Sequence, residues 1–324
     1  MTPVKLGFIG FGIMGERLMR AALSHSKSTI VVSGAYDPDP KTADRLKSID
    51  AGVVAFESPE AVIAASDCLH IASPPSSHLE YLDRCTRAGR AALCEKPLAT
   101  DVTAATAAVL GLTKRGARVG INFPFVSSVA VVQLERWLRE GNIGTPKRID
   151  IDLAFSAWPR SWQMDAARWL DGRTEGGFTR EVGSHFLFLS RRLCGPLKLQ
   201  TASCDYPHPG RSERKIQASL IAGTLPVRVS GSVGTTTKDD HNTWTLTGDR
   251  GQIRLRDWSF AERAVAGAWQ GAAEAIANEK ARPLVLARQL DKIAAMTRGE
   301  ATNLASLSEA LEVQICVEAI LQGR

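Results

Sequence analysis

A G-x-G-x-x-G run, Gly10-Phe11-Gly12-Ile13-Met14-Gly15, stands between an apolar stretch, Val4–Ile9, and a segment with apolar residues at helical spacing, Ile13–Leu23. That order of strand, tight turn and helix leaves few folds open. Gly10 permits the turn, Gly12 lets the backbone come close to a pyrophosphate with no Cβ in the way, and Gly15 lets helix and strand approach each other. The helix start adds unpaired N–H groups and a positive dipole end, which suit phosphates. Asp37 lies 37 − 15 = 22 residues beyond the last glycine, at the end of a second β-rich run over residues 30–35. A carboxylate there accepts hydrogen bonds from ribose hydroxyls and repels a 2′-phosphate. These residues point to NAD as cofactor, with NADP second. Lys41 and Arg45 follow closely and either meet a 2′-phosphate or stand as solvated helix residues.

Strands expected over 68–72, 91–94 and Val119–Asn122 alternate with helices over 41–47, 77–88 and 101–114. With Val4–Ile9 and 30–35 the named runs number five, and their alternation with helices predicts a Rossmann doubly wound parallel sheet over residues 1–122, for which six strands are expected. After residue 122 the rhythm changes. A helix over 126–140 stops at Gly141 and again at Gly144-Thr145-Pro146, and a strand over 147–155 and a helix over 181–193 follow. Runs at 200–205, 215–221, 226–232, 242–247 and 251–257 then read as strands broken by Gly, Pro, Asn and Asp, before helices at 283–297 and 306–321. Residues 123–324 are therefore expected to form an α+β domain with a large, mostly antiparallel open sheet, serving substrate and subunit contact.

Charge removes one class of partner. The net charge of +6 comes from 40 basic and 34 acidic side chains, and residues 1–122 hold 14 and 12 of them, so no basic arm or stripe exists and no nucleic-acid partner is expected. The start MTPVKLGFIG lacks a leader pattern and no long apolar run occurs, so no membrane association and a cytoplasmic location are expected. The six cysteines are far apart with no C-x-x-C, and His25, His70, His208 and His241 have no partner at ligand spacing. Neither a disulfide framework nor a metal is expected.

Three further stretches join the glycine run. They are Ser73-Pro74-Pro75-Ser76-Ser77-His78, Glu95-Lys96-Pro97, and Gly176-Gly177-Phe178-Thr179-Arg180-Glu181-Val182-Gly183-Ser184-His185. In this order, over almost the whole chain, they resemble the T-P-P-x-x-H, E-K-P and G-G-x-x-x-D-x-G-x-H segments of the Gfo/Idh/MocA family of glucose-fructose oxidoreductases and inositol dehydrogenases. The segment from Ala310 is similar to the family's closing helix. The resemblance implies an NAD(P)-dependent dehydrogenase or reductase acting on CH–OH, with a sugar-like or related small polar substrate. It places Lys96 beside nicotinamide and substrate, makes His185 the proton-transfer residue, and gives Glu181 a supporting role. Ser73, Pro74, His78, Glu95 and Asn122 join Gly10 to Gly15 and Asp37 on the cofactor side. A homodimer or homotetramer is expected.

The residue chemistry agrees with those roles. Glu181 and His185 are spaced i, i+4 and so share a helix face. An imidazole suits removal of a hydroxyl proton, and an ammonium stabilises developing alkoxide charge. Lys96 and His185 can act together only if a cleft between the two domains brings both to one oxygen. His78 either starts a helix beside the cofactor or acts on substrate. Trp158, Trp162 and Trp169 fall within twelve positions alongside Arg160 and Arg168, a surface suited to a sugar face or a carboxylate, or else ordinary packing. Three departures bear on substrate: Glu181 replaces an Asp, Phe188 stands where many members have Asp, and Asn122-Phe123-Pro124-Phe125 lacks the arginine of N-x-R-F. Two rival readings use the same dinucleotide site, an NAD-dependent redox-neutral lyase or glycosidase and a non-catalytic dinucleotide-binding sensor.

Overall fold

The computed structural model describes residues 2–323. Near the N-terminus five strands, β1 (Val4–Ile9), β2 (Ile30–Tyr36), β3 (Cys68–Ile71), β4 (Ala91–Glu95) and β5 (Val119–Asn122), form one parallel sheet in the order β2-β1-β3-β4-β5. Parallel strands covered on both faces read as unbroken apolar runs, and Cys-Leu-His-Ile of β3 and Ala-Ala-Leu-Cys-Glu of β4 are buried at every position. The count of six strands is corrected to five. The nearest thing to a sixth is Ala55, which makes a single parallel bridge to Ala35 and extends no further. A short helix absent from the sequence reading, Pro59–Ala65, follows; Ser58 caps it by accepting the Ala61 N–H, and Pro59 occupies its first turn.

The strand order reverses between β1 and β3, whose carboxyl ends therefore open a crevice where doubly wound sheets bind ligands. The glycine run follows β1 and Ser73 follows β3.

Packing divides the chain less simply than one boundary at residue 122. One compact unit runs to Ser127 and adds Pro283–Leu311; the other comprises Ser128–Arg282 and the chain from Glu312 on. The reason is the edge left open by β5. Ala305 accepts the Ile121 N–H at 2.8 Å, Leu304 and Met296 lie against Gly120, and Gln289 bonds Asn122. A returning C-terminal segment thus covers the edge strand, which sequence order alone does not announce.

The second unit carries eight strands: β6 (Pro146–Phe155), β7 (Leu197–Asp205), β8 (Lys215–Ala222), β9 (Leu225–Val233), β10 (Asp240–Gly248), β11 (Gln252–Arg256), β12 (Phe260–Val265) and β13 (Ala268–Gly271). Their order is β13-β12-β11-β10-β6-β9-β8-β7, and every pairing is antiparallel except β6 with β9. Alternation along the strands buries Ile149, Ile151, Leu153, Leu220, Val229, Trp244, Leu246 and Leu255. Helix Ser184–Cys194 contacts β7 and β8 and presents Ser190, whose Oγ accepts the Trp244 Nε1–H at 2.8 Å. The fold class is the expected one, a Rossmann sheet followed by an α+β region with a large, mostly antiparallel sheet. β12 and β13 escaped the sequence reading because their hairpin turn places Ala266 and Gly267 at φ 49° and 81°. Such turns are usually announced by Asn-Gly or Asp-Gly, not Ala-Gly.

Candidate functional site

The glycine run is explained position by position. Gly10 has φ +91°, and a Cβ there would stand 2.4 Å from the Ser73 N, so this residue both turns the chain and touches the loop after β3. At Gly15 a Cβ would fall 2.3 Å from the Gly10 carbonyl oxygen. Gly12 differs from both. Its φ of −73° is open to any residue, and no atom beyond its immediate neighbours lies within 4 Å of where a Cβ would be. Neither backbone conformation nor packing within the chain calls for glycine there. It stands at the N-cap of helix Ile13–Leu23 with no side-chain cap, where helix N–H groups face outward. A cradle that a Cβ would fill, at a helix start, fits a dinucleotide pyrophosphate.

Phe11 and Asp37 are joined directly. The Phe11 N–H donates to Asp37 Oδ2 at 2.6 Å, and the Asp39 N–H donates to Oδ1 at 2.8 Å. Asp37 therefore fixes the glycine loop as well as its own turn, and each oxygen keeps a second lone pair for a ribose hydroxyl. Phe11 is buried, and Arg45 lies over its ring at 5.1 Å. Arg45 is not simply solvated, because its Nη2 is 2.7 Å from Glu16 Oε2.

At the carboxyl ends of β3, β4 and β5 a buried polar chain links the next group of candidates. His70 Nε2 lies 3.0 Å from Glu95 Oε1, the Asn122 amide donates to the same oxygen at 2.5 Å, and Gln289 donates to Asn122 Oδ1 at 2.5 Å. Donation by His70 Nε2–H leaves Nδ1, which has no partner among the described residues, as a bare acceptor. His78 is buried, with Nδ1 2.8 Å from the Pro97 carbonyl and Nε2 2.8 Å from the Ser73 carbonyl. Burial pulls its pKa below the ordinary histidine value against the pull of those carbonyls. Both ring nitrogens are engaged by backbone, so His78 staples the Ser73-Pro74 loop to the Lys96-Pro97 loop. Ser73 also accepts from Ser77 at 2.7 Å. Lys96 follows β4 at a half-buried position, and burial pushes the neighbouring Cys94 thiol far up, as suits a core filler.

In the second unit Thr179–Gly183 winds as a π-helical turn into helix Ser184–Cys194. The turn is anchored by buried Glu213, which accepts the Thr179 N–H at 2.7 Å and whose carboxyl is pushed up by burial. Gly177, at φ +103°, leaves room for that carboxylate. Glu181 Oε1 lies 3.4 Å from the Gln163 amide and 3.8 Å from the Arg160 guanidinium. Arg160 is itself buried, donates to Gln163 at 2.9 Å and to Asp240 at 2.8 Å, and lies over the Trp162 ring at 4.7 Å. Its charge is thus matched within the chain, which argues against the carboxylate-binding role that spacing allowed. Trp162 and Trp169 are exposed, Arg168 is exposed on the short helix Ala167–Leu170, and Trp158 is core, stacked edge-on to Phe155 and bonded to the Leu170 carbonyl.

His185 is nearly buried, and Trp258 meets its ring edge-on at 5.4 Å while donating to Asp240 at 3.2 Å. Trp258 and Asp257 hold φ of 72° and 45° in the tight connection from β11 to β12. Left-handed backbone at a tryptophan is strain of the kind that gathers at functional sites. Sequence reasoning missed Trp258, Asp240 and Gln163, because nothing local marks a turn residue that reaches a helix some seventy positions earlier. Lys96 belongs to the first unit, and Glu181 and His185 to the second. Among the described residues no three His, Cys, Asp or Glu side chains gather around a metal position, and no helix is long and apolar enough to cross a membrane.

A family model described as an oxidoreductase family with an NAD-binding Rossmann fold matches residues 4–123. Inositol 2-dehydrogenase 2 of Saccharopolyspora erythraea is 28% identical over 186 residues, 52% of this chain and 54% of that protein. D-apiose dehydrogenase of Paraburkholderia graminis is 31% identical over 199 residues, 61% of this chain and 44% of that protein. The chain thus spans about half the length of these curated relatives. Among solved structures, an inositol dehydrogenase homolog complexed with NAD+ from Azotobacter vinelandii matches with TM-score 0.83 at 17% identity, over 99% of this chain and 95% of that one, a likeness of fold.

Proposed function

We propose that this chain is a member of the Gfo/Idh/MocA oxidoreductase family, whose NAD-binding Rossmann model matches residues 4–123, and that it interconverts a hydroxyl and a carbonyl on a sugar-like or related small polar substrate, using NAD. The observation that carries the cofactor half is Gly12, whose missing side chain serves nothing inside the chain. Gly10 to Gly15 hold the pyrophosphate and Asp37 the adenosine ribose. When bound, the nicotinamide supplies the hydride acceptor or donor. Lys96 donates a hydrogen bond to the substrate oxygen, His185 takes or returns its proton, and Glu181 orients that exchange. The relatives named for inositol and apiose support a polyol or sugar, and the matched charge of Arg160 favours a neutral one. The decisive experiment follows NADH formation with a panel of polyols and sugars, alongside mass spectrometry of ligands that co-purify. Cofactor retained through turnover without net NADH would instead favour the redox-neutral lyase.

Cofactor preference is the first expected result. Asp37 carries its charge to the point where a 2′-phosphate would sit, so fluorescence titration is expected to show NAD bound more tightly than NADP, with Asp37→Ser narrowing the ratio. NADP binding at least as tightly to the unmodified protein would overturn this reading of Asp37.

A second result concerns the exposed tryptophan. Trp162→Ala is expected to raise KM several-fold for the true substrate with turnover little changed, as for loss of an aromatic face beneath a sugar. Arg160→Ala is less informative, since breaking a mostly buried ion pair with Asp240 costs about 3–5 kcal/mol of stability. An unchanged KM in Trp162→Ala would mark the segment as structural.

A further inference from the structure

One ring organises the charges beside the glycine loop. Phe11 lies beneath the Arg45 guanidinium at 5.1 Å, and its N–H is held by Asp37 at 2.6 Å. Glu16, the residue after the third glycine, binds Arg45 Nη2 through Oε2 at 2.7 Å and Arg20 Nε through Oε1 at 2.8 Å. Two guanidinium groups, Arg45 and Arg20, and two carboxylates, Asp37 and Glu16, therefore stand around the start of the dinucleotide loop. Burial opposes ionisation of Glu16, but the hydrogen bonds and charges of Arg45 and Arg20 outweigh it and hold its carboxyl below the ordinary range. Glu16 is anionic at neutral pH.

We propose that Arg45 is a latent anchor for the 2′-phosphate of NADP that Glu16 withholds, so that two acids, Asp37 and Glu16, set the choice of NAD. The inference rests on the dinucleotide reading of the glycine loop. Asp37 acts by direct repulsion, and Glu16 acts by occupying the guanidinium. An arginine fork matches phosphate geometry and forms charge-assisted hydrogen bonds with it. Here a phosphate would have to displace a carboxylate that a second arginine also holds. Removing that carboxylate leaves Arg45 supported by the Phe11 ring, close to the loop and with its donors released. No cation need be added to change cofactor choice, because the chain already carries one. Lys41, exposed just before the helix Thr42–Ile49 that carries Arg45, is the competing cation.

The test is equilibrium titration of the full chain with NAD and with NADP, read by tryptophan fluorescence or calorimetry. Glu16→Gln is expected to tighten NADP roughly tenfold, the gain of one charge-assisted contact, with NAD affinity within about twofold. Glu16→Ala covers the case in which the glutamine oxygen still holds Arg45. Asp37→Ser combined with either change is expected to favour NADP, and adding Arg45→Ala is expected to abolish the gain. NADP affinity unchanged in both Glu16 variants, or a gain that survives Arg45→Ala and disappears with Lys41→Ala, would overturn the proposal while leaving the dinucleotide site intact. Failure of the unmodified protein to bind either nucleotide would overturn the site reading and the proposal together.

Discussion

Lys96→Ala and His185→Ala are each expected to lower the turnover number by roughly 10²–10⁴-fold, the usual loss on removing a general acid or base, while NAD affinity and thermal stability stay near those of the unmodified protein. Lys96 follows β4 at a half-buried position, so truncating it opens no cavity within the fully buried strand. His185 is buried against the Trp258 ring, so His185→Asn, which keeps more of the side-chain volume, serves as the control for any stability that the alanine loses. If both side chains serve one proton, their losses do not add. The double variant is then expected to be little worse than the poorer single one. Glu181→Gln keeps the shape and the contact with Gln163 but loses the charge facing Arg160, so a milder loss is expected. Single-turnover hydride transfer separates chemistry from product release. Unchanged single-turnover rates in Lys96→Ala and His185→Ala would make both residues bystanders in the chemistry, whereas NAD binding with no hydride transfer in the unmodified protein would favour the non-catalytic sensor.

What could be read in the sequence was whatever is written locally. Val4–Ile9 and Ile13–Leu23 were legible to the residue because a buried parallel strand is a continuous apolar run and an amphipathic helix repeats at its own period. Gly10, Gly12 and Gly15 were legible because each glycine answers a different steric demand within six positions. The rest depends on partners far apart in the chain. Pro283–Leu311 joins the first unit only because β5 leaves an edge to be covered. Arg45 reads as a solvated helix residue until Glu16, 29 positions earlier, is seen to hold it. Arg160 looks like an open guanidinium until Asp240, 80 positions later, meets it from the start of β10. Composition reports charges, and only the fold says which of them are already matched.

The three glycines offer a sharper test, because stability and binding should part company among them. Gly15→Ala places a Cβ 2.3 Å from the Gly10 carbonyl and is expected to cost about 1–3 kcal/mol of stability through overpacking. Gly10→Ala adds a left-handed φ to a contact of 2.4 Å with Ser73, so it is expected to cost at least as much. In both variants weaker NAD binding would follow from a distorted loop and would say little about the site. Gly12→Ala is the informative case. With φ at −73° and open space ahead, the gain of about 0.4–1 kcal/mol from restricting the unfolded chain is offset by the poorer capping of a helix start by alanine, and stability is expected to stay within about 1 kcal/mol of the unmodified protein. Yet it sets a methyl group in the proposed pyrophosphate site, and NAD affinity is expected to fall by tenfold or more, about 1.4 kcal/mol for each factor of ten. Gly12→Val should deepen that loss with the fold still intact. Thermal melts and NAD titrations on the same preparations give both readings. A Gly12→Ala protein that melts normally and binds NAD as tightly as before would mean that the open space at the helix start does not hold the pyrophosphate, and the assignment of the cofactor site would fall with it.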